Sequence, residues 1–207
     1  FARPDLWYNR FDGFKAGIHL NGNFIDYYDV FDANFWINSG IAQGGIDTSV
    51  SRNSFDNISY RLNYKTATDG FVKNSSIHFS IINLDGLNSY LAGFSTRDKA
   101  NENRMYGFLK SMIRREKQDL TYLLYPDEWN ANRLNNTVNL GYEHTYTYKR
   151  GTGKINLDLR SSALMSDYDY ANIRLTVINR NKLGKFNFNT RTFFQHGTGK
   201  NMPKESA

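Results

Sequence analysis

Apolar and polar residues alternate along most of this chain. Between Lys154 and Arg160, for example, Ile155, Leu157 and Leu159 alternate with lysine, asparagine, aspartate and arginine. A period of two residues is typical of a β-strand whose two faces differ in chemistry. The pattern therefore predicts strands, but it leaves open whether the apolar face meets a protein core or lipid.

Eight segments show this alternation clearly, and we expect two or three further strands. Each places aliphatic or aromatic side chains at every second position over about eight to eleven residues. The segments are residues 13–21, 30–38, 57–65, 76–83, 137–147, 154–163, 171–179 and 185–194. The chain is therefore predicted to be all-β, with about ten antiparallel strands.

Residues 97–125 are compatible with two interpretations. Apolar residues from Met105 to Ile113 fall at helical spacing among basic residues, which would form an amphipathic helix. The alternative is a β-hairpin of residues 107–113 and 120–125 around a turn at residues 114–119. We favour the hairpin, because predicted strands flank this region on both sides.

The connections between the predicted strands alternate in length. Residues 149–153 and 179–184 contain glycine and predict tight hairpin turns, whereas residues 161–170 and 39–55 are longer. Outer-membrane β-barrels show this asymmetry, with the short turns on the periplasmic side. A soluble β-sandwich does not require it.

Strand length and polar composition favour lipid as the environment of the apolar face. Several runs cover about nine to eleven residues, enough for a tilted strand to cross a bilayer, whereas soluble strands cluster near five or six. Asn makes up about one residue in eight of the chain, although it is normally depleted from strands. We therefore expect a transmembrane antiparallel β-barrel, or a large part of one.

The polar face of such a barrel would line its lumen. Hydrocarbon offers no hydrogen bonds to the backbone, so a spanning sheet must close on itself and enclose one face. The residues expected to line the lumen are polar-face positions of the alternating strands: Lys15, His19, Asp32, Arg61, Asn63, Glu143, Asp158, Arg160, Arg174 and Arg191.

Aromatic residues cluster at the predicted strand ends. Tyr and Trp combine an apolar ring with a polar tip, and such residues form girdles at both membrane interfaces of a barrel. The residues predicted for these girdles are Trp7, Tyr8, Tyr142, Tyr146, Tyr148, Tyr168 and Tyr170. Tyr is also a good strand former in soluble sheets, so the clustering alone does not decide the environment.

Composition narrows the remaining possibilities. The absence of Cys excludes a disulfide framework, and no apolar stretch is long enough for a transmembrane helix. A net charge of +6 suits acidic lipid or lipopolysaccharide phosphate. No nucleic acid is expected as a partner, because the chain contains no clustered basic arm and no recognition motif. Other envelope proteins are possible partners.

The two ends of the chain give no sign of export or of closure. The opening residues contain no charged segment followed by an apolar one, and the polar tail ends without a closing strand. We therefore expect residues 1–207 to be a single barrel segment of a longer protein.

Two stretches near the start resemble outer-membrane barrels of the Bacteroidota type. These are RPDLWYNRFDGFKAGIHLNGNF (residues 3–24) and FDANFWINSG (residues 31–40). With YLLYPDEW (122–129) and FFQHGTGKN (193–201), the whole stretch is similar to the barrel region associated with gluzincin-type zinc metallopeptidases. This resemblance implies a catalytic part upstream and a membrane anchor here.

No catalytic, cofactor or metal motif occurs in the chain itself. The four histidines, His19, His78, His144 and His196, are far apart, and none belongs to an HExxH motif. The two GTGK segments lack the strand–loop–helix setting of a phosphate-binding loop. No residue is predicted to be catalytic or metal-binding, and no cofactor is expected. Whether the whole protein is an enzyme stays open.

The leading hypothesis is an integral barrel of the bacterial outer membrane that anchors a larger protein. One alternative is an outer-membrane pore or a protein-translocation or assembly barrel. Another is a secreted, soluble β-sandwich that binds glycans through Trp7, Trp36 and Trp129.

Overall fold

The structure is a computed structural model, and it describes residues 1–9, 13–24, 28–41, 57–84, 86–114 and 132–203. These residues form eleven β-strands and no α-helix. The strands are β1 (Ala2–Asn9), β2 (Gly13–Phe24), β3 (Tyr28–Asn38), β4 (Ile58–Ala67), β5 (Ser75–Leu84), β6 (Leu87–Arg97), β7 (Asn103–Arg114), β8 (Leu134–Tyr148), β9 (Gly151–Ser162), β10 (Tyr170–Leu183) and β11 (Phe186–Gly199).

All eleven strands belong to one antiparallel sheet, in which each strand lies beside its neighbours in the sequence. Within the described ranges, β1 and β11 each pair on one side only, so the sheet is not closed. The all-β antiparallel fold is confirmed, and closure into a barrel stays a prediction. None of the described segments is a helix long and apolar enough to cross a membrane.

All eight strands predicted from alternation are present. In the ambiguous region, β7 shows that residues 103–114 are extended, so the amphipathic helix is wrong. The second half of the predicted hairpin, residues 120–125, lies outside the described residues. The tight hairpin turn predicted at residues 179–184 is present but starts later than expected, because β10 continues to Leu183 and the chain turns at Gly184, whose φ is +60°.

The connections follow the predicted asymmetry only in part. The two longest, residues 39–57 and 115–133, both come after odd-numbered strands, as does the loop at residues 163–169. Most of those after even-numbered strands are short, and β8 joins β9 through Lys149 and Arg150 alone. However, residues 68–74 after β4 equal the 163–169 loop in length, and β5 joins β6 through residues 85–86 alone. Successive strands of an antiparallel sheet run in opposite directions. Connections after odd-numbered strands therefore lie at one end of the strands, and connections after even-numbered strands lie at the other end.

The chain consists of two compact units. The first comprises Phe1–Thr66, His78–Ala92 and Ser111–Asn135, and the second comprises Ala67–Ile77, Gly93–Lys110 and Asn136–Ala207. In the first, β2 lies between β1 and β3, with Gly17 opposite Asp5 on one side and Trp36 on the other. In the second, β9 lies between β8 and β10, with Leu157 opposite Tyr142 and Leu175.

Three aromatic side chains reach across a glycine to the strand beyond it. Trp36 on β3 lies against Gly17 on β2, and its Nε1 donates to Asp5 Oδ2 on β1 at 3.0 Å. A Cβ at Gly17 would overlap the indole ring. Glycine therefore provides the space, and the polar tip of the ring provides the bond. We call this arrangement an aromatic–glycine bridge.

The other two bridges lie in the second unit. Tyr106 on β7 crosses Gly141 on β8 and donates its hydroxyl hydrogen to Asp158 on β9. Tyr146 on β8 crosses Gly153 on β9, and its hydroxyl donates to Asn179 Oδ1 on β10 at 2.7 Å. Each bridge joins three strands, whereas the backbone ladder joins only two.

We predict that Gly141→Ala destabilises the sheet. The new Cβ would displace the Tyr106 ring and weaken its hydrogen bond to Asp158, lowering the free energy of unfolding by about 1–3 kcal/mol. Urea titration of the protein in detergent micelles measures this change. Gly70→Ala is the matched control, because a Cβ at Gly70 meets nothing within 4 Å. Equal stability of the two variants would contradict the role of the bridge.

Candidate functional site: the polar face of the sheet

The distribution of burial is the reverse of that in a water-soluble sheet. Lys15 is 0% exposed, whereas its neighbours on the opposite face of β2 are open, with Ile18 42% exposed. The same holds in the second unit, where Leu140 is 54% and Leu159 43% exposed while Asn139 is buried. Polar side chains therefore hold the sequestered positions, and aliphatic side chains hold the open ones.

Most buried side chains in the described part of the chain are polar. They are small or amide-bearing apart from one lysine: Lys15, Asn34, Asn38, Ser59, Ser75, Ser76, Asn88, Ser89, Ser95, Asn135, Thr137, Asn139, Asn172 and Thr176. The only large hydrophobic residues buried there carry a polar tip: Trp36, Tyr168 and Tyr170. Burying such groups is costly unless they bond to one another.

Lys15 is the centre of a polar cluster in the first unit. Its Nζ donates to Ser59 Oγ at 3.1 Å, and Ser59 donates in turn to Asn38 Oδ1 at 3.1 Å. The Lys15 ammonium also lies 4.6 Å from the ring centroid of Trp7, and Trp7 packs edge-to-face on Trp36. The buried charge is thus stabilised by a hydroxyl and by the face of an indole ring.

His19 links three neighbouring strands of the same unit. Arg3 Nε donates to His19 Nδ1 at 3.1 Å, which requires that nitrogen to be unprotonated. His19 Nε2 therefore carries the hydrogen and donates to Asp32 Oδ2 at 2.7 Å. Asn34 Nδ2 adds a second donor to Asp32 at 3.2 Å. The structure brings the predicted residues His19 and Asp32 together as a hydrogen-bond donor and its acceptor.

Three predicted residues of the second unit are bonded to side chains on neighbouring strands. Glu143 and Lys154 form an ion pair of 2.6 Å, and Arg160 Nε donates to Asn139 Oδ1 at 2.7 Å. Asp158 accepts from Tyr106 and also from Asn156 Nδ2 at 2.8 Å. These contacts join β7, β8 and β9 across one polar face.

β10 and β11 form the outer hairpin of this unit. The positive charge of this hairpin is less completely neutralised by nearby carboxylates than the charge of β8 and β9. Arg174 Nε donates to Gln195 Oε1 at 3.2 Å. Its guanidinium lies 5.8 Å from the Phe193 ring centroid, and that of Arg191 lies 5.9 Å from the same ring. Two cations therefore flank one aromatic ring.

The remaining predicted polar residues lie at more open positions. Asn63 is half-buried and accepts from Ser80 Oγ at 2.8 Å, whereas Arg61 and Arg191 are exposed. Sequence reasoning missed the partners of the predicted set, among them Ser59, Tyr106 and Asn139. All three fall on the polar side of their strands, which is the signal that could have found them. Whether this face lines a lumen stays a prediction.

The aromatic residues predicted for the membrane interfaces divide into two groups. Trp7 lies on the polar face beside Lys15, and Tyr168 and Tyr170 are buried. Tyr8 lies on the apolar face, where it contacts Phe14 with 5.2 Å between ring centroids. Tyr142, Tyr146 and Tyr148 also share the apolar face of their strand with Leu140. Whether any of the seven residues meets a membrane interface stays a prediction.

The tyrosines at the end of β8 form a belt with histidine and asparagine. Asn103 Oδ1 accepts from the Tyr142 hydroxyl at 2.6 Å and from His144 Nδ1 at 2.8 Å. The Tyr146 and Tyr148 hydroxyls donate to Asn179 and Asn181 of β10. Polar tips and aromatic rings thus end the apolar face where β8 approaches its turn.

A shallow apolar groove of about 310 Å³ lies on the exposed face of the second unit. Ser161 and Ala171 are opposite each other in the register, and both line the groove with small side chains. Larger side chains from four strands form the walls, including Val138, Leu159 and His196. The groove contains none of the predicted polar-face residues except Arg160.

Among the residues that the structure describes, no group of three or more His, Asp or Glu side chains could hold a metal ion.

The turn between β6 and β7 holds one carboxylate with a shifted pKa. Asn103 Nδ2 donates to Asp98 at 2.6 Å and the Glu102 amide donates at 2.9 Å. The side chain of Asn103, followed by the backbone amides of this turn, lowers the pKa of Asp98 below its usual value. Asn103 thereby connects this turn to the tyrosine belt.

Comparison with known protein families, with curated proteins and with solved structures finds no match to this chain. The resemblance to Bacteroidota barrels and to gluzincin-type peptidases therefore has no support from a relative or a structural neighbour.

We predict that Asp98→Asn lowers stability at neutral pH and has less effect in acid. A depressed pKa means that the carboxylate stabilises the fold above the ordinary value of 3.8, and this contribution is lost as the pH falls through the folded-state pKa. Unfolding titrations from about pH 7 to about pH 2.5 should show the two proteins converging. A difference that stays constant with pH would contradict this role.

Proposed function

We propose that this chain is an integral β-barrel segment of the bacterial outer membrane that anchors a larger protein. The observation that carries the proposal is the reversed burial, with Lys15 sequestered and Ile18 and Leu140 open. In water, a large continuous apolar surface is a liability. In a bilayer the same surface is the solvated one, because hydrocarbon replaces water as the solvent.

The extent of the open apolar surface supports this proposal. It includes residues from strands along the whole sheet: Phe14, Ile18, Phe35, Ile37, Phe79, Tyr90, Phe94, Met105, Leu109, Val138, Leu140, Leu159, Leu175, Phe188 and Phe194. Ten of the eleven strands are ten to fifteen residues long, which meets the length that a tilted strand needs to cross a bilayer.

The ends of the strands and their connections support the same proposal. Tyr142, Tyr146 and Tyr148 end the apolar face with hydroxyl groups, as residues at a membrane interface do. The longest connections follow odd-numbered strands, so in a barrel they would share one side of the membrane. By analogy with bacterial barrels, that side would face the exterior, where lipopolysaccharide phosphate would meet basic loop and strand-end residues.

An anchor fits the polar face better than a wide conducting pore. Its side chains bond to one another, as Glu143 does to Lys154 and Arg160 to Asn139, instead of standing apart around an aqueous path. The soluble β-sandwich is a weaker candidate, because the described strands form one sheet and Trp7 packs against Trp36. Trp129 lies outside the described residues. An upstream peptidase domain is part of the proposal through the resemblance alone.

The decisive experiment compares arginine at two exposed leucines. Leu140 is 54% exposed in the middle of β8, and Leu164 is 91% exposed in the loop after β9. If the apolar face contacts hydrocarbon, Leu140→Arg should lower the free energy of unfolding in lipid vesicles by about 2–4 kcal/mol, and Leu164→Arg by much less. Urea titration of vesicle-inserted protein, followed by tryptophan fluorescence, measures both.

The native protein provides the accompanying control. A folded barrel should partition with detergent and migrate differently on gels before and after boiling. A chain that stays folded and monomeric in buffer without detergent, and that tolerates both arginines equally, would end the proposal.

A further inference from the structure

The outer edge of β11 is a long row of backbone groups without a strand beside it in the described part of the chain. β11 is fourteen residues long, pairs with β10 along its whole length and exposes nearly all of its side chains. No strand in the described ranges bonds to the N–H and C=O groups on its other side. Such an edge is a ready template for strand addition.

The other end of the strand order carries the usual protection against strand addition, and β11 does not. β1 has only eight residues and includes Pro4, which cannot donate a backbone hydrogen bond. β11 contains no proline and no lysine, and its register with β10 runs without interruption from Phe186 to Gly199. Natural edge strands that must stay unpaired are normally short, charged or irregular.

The charge of the last hairpin indicates what kind of strand would fit. Residues 170–199 contain five basic residues and no acidic residue. In the described chain, no carboxylate forms an ion pair with Arg191, whose guanidinium contacts the Phe193 ring. By contrast, the inner strands β8 and β9 pair their charges, as Glu143 and Lys154 do.

The number of strands also favours an additional strand beside β11. Bacterial outer-membrane barrels of one chain have an even number of antiparallel strands, and the described sheet has eleven. This argument rests on the proposed function, because it is a closed barrel of this kind that needs at least one strand besides those described.

We propose that the edge of β11 accepts an antiparallel strand that places an acidic side chain beside Arg191. On the opposite face this strand would carry apolar residues next to Phe188 and Phe194, and this second feature rests on the proposed function. The acidic residue would provide the counter-charge that β10 and β11 lack, and the backbone ladder would provide most of the affinity.

The test uses synthetic peptides as probes of the edge. One fluorescent peptide, about as long as β11, alternates apolar residues with threonine and carries glutamate at its central polar position. A second peptide has lysine there. We expect the glutamate peptide to bind the whole chain in detergent micelles about tenfold more tightly, since opposite charges across a strand pair attract and like charges repel. Fluorescence anisotropy measures both affinities.

Charge reversal on the protein identifies the site. Arg191→Glu should invert the preference between the two peptides, and Arg191→Gln should abolish it. Arg180→Glu is the matched control, because Arg180 is an exposed arginine of the same hairpin but lies on the inner strand β10. If general attraction to a basic surface explained binding, Arg180→Glu would have the same effect as Arg191→Glu.

A backbone variant tests the mode of binding. Thr192 and Phe193 are adjacent, so one of them directs its N–H away from β10. Proline at that position should remove binding of both peptides while the β10 ladder remains. A change in heat-dependent gel migration would reveal loss of the fold itself.

Each outcome separates this inference from the proposed function. Equal binding of the two peptides, no binding, or a stable dimer joined through β11 would overturn the inference, even if the chain inserts into vesicles. A glutamate preference that Arg191→Glu inverts would support it, even if Leu140→Arg proves harmless and the membrane proposal fails.

Discussion

Hydrogen bonding among side chains of one face is the interaction on which this sheet depends. An isolated lysine or carboxylate would not remain charged in a buried position, because desolvation costs far more than a typical contact returns. Here several buried or half-buried polar groups have a partner on another strand, such as Ser59 for Lys15 and Tyr106 for Asp158. Trp7 Nε1 and Arg104 Nε are exceptions, because both are buried without a hydrogen-bond partner among the described residues. Because many polar side chains of one face bond to one another, that face is largely buried and the apolar side chains lie on the exposed face.

This arrangement also explains the composition of the strands. Asn, Ser and Thr are short, and each both donates and accepts, so they can bond across a strand pair without long flexible side chains. Asn139 shows the benefit, since its oxygen accepts from Arg160 while its nitrogen donates to Thr137. A sheet that faced water would gain little from asparagine in this role, and asparagine is depleted from ordinary strands.

Much of the fold can be predicted from the period of two, but the pairing of the polar side chains cannot. The alternation in residues 154–163 fixes which residues share a face with Asp158 and Arg160. It does not reveal that Asp158 meets Tyr106, because that contact depends on the register of three strands and on a glycine between them.

β6 is not one of the eight strands with clear alternation, because Ser89, Gly93 and Ser95 replace the larger polar residues of its neighbours. Trp7 and Asp5 are two residues apart in β1 and therefore share a face. The polar-face position of Trp7 could thus have been predicted from the alternation of the strand, whereas its place near a strand end predicted a membrane interface.

The aromatic–glycine bridges constrain how such a chain can change over time. Each requires three residue types at once: an aromatic with a polar tip, a glycine opposite it, and a carboxylate or amide on the third strand. A larger residue at Gly153 would be tolerated only if a smaller residue replaced Tyr146. Asn179 would then no longer accept a hydrogen bond from the Tyr146 hydroxyl. Related sequences should therefore show these trios varying together, so an alignment of them would reveal strand order and register through coevolution alone.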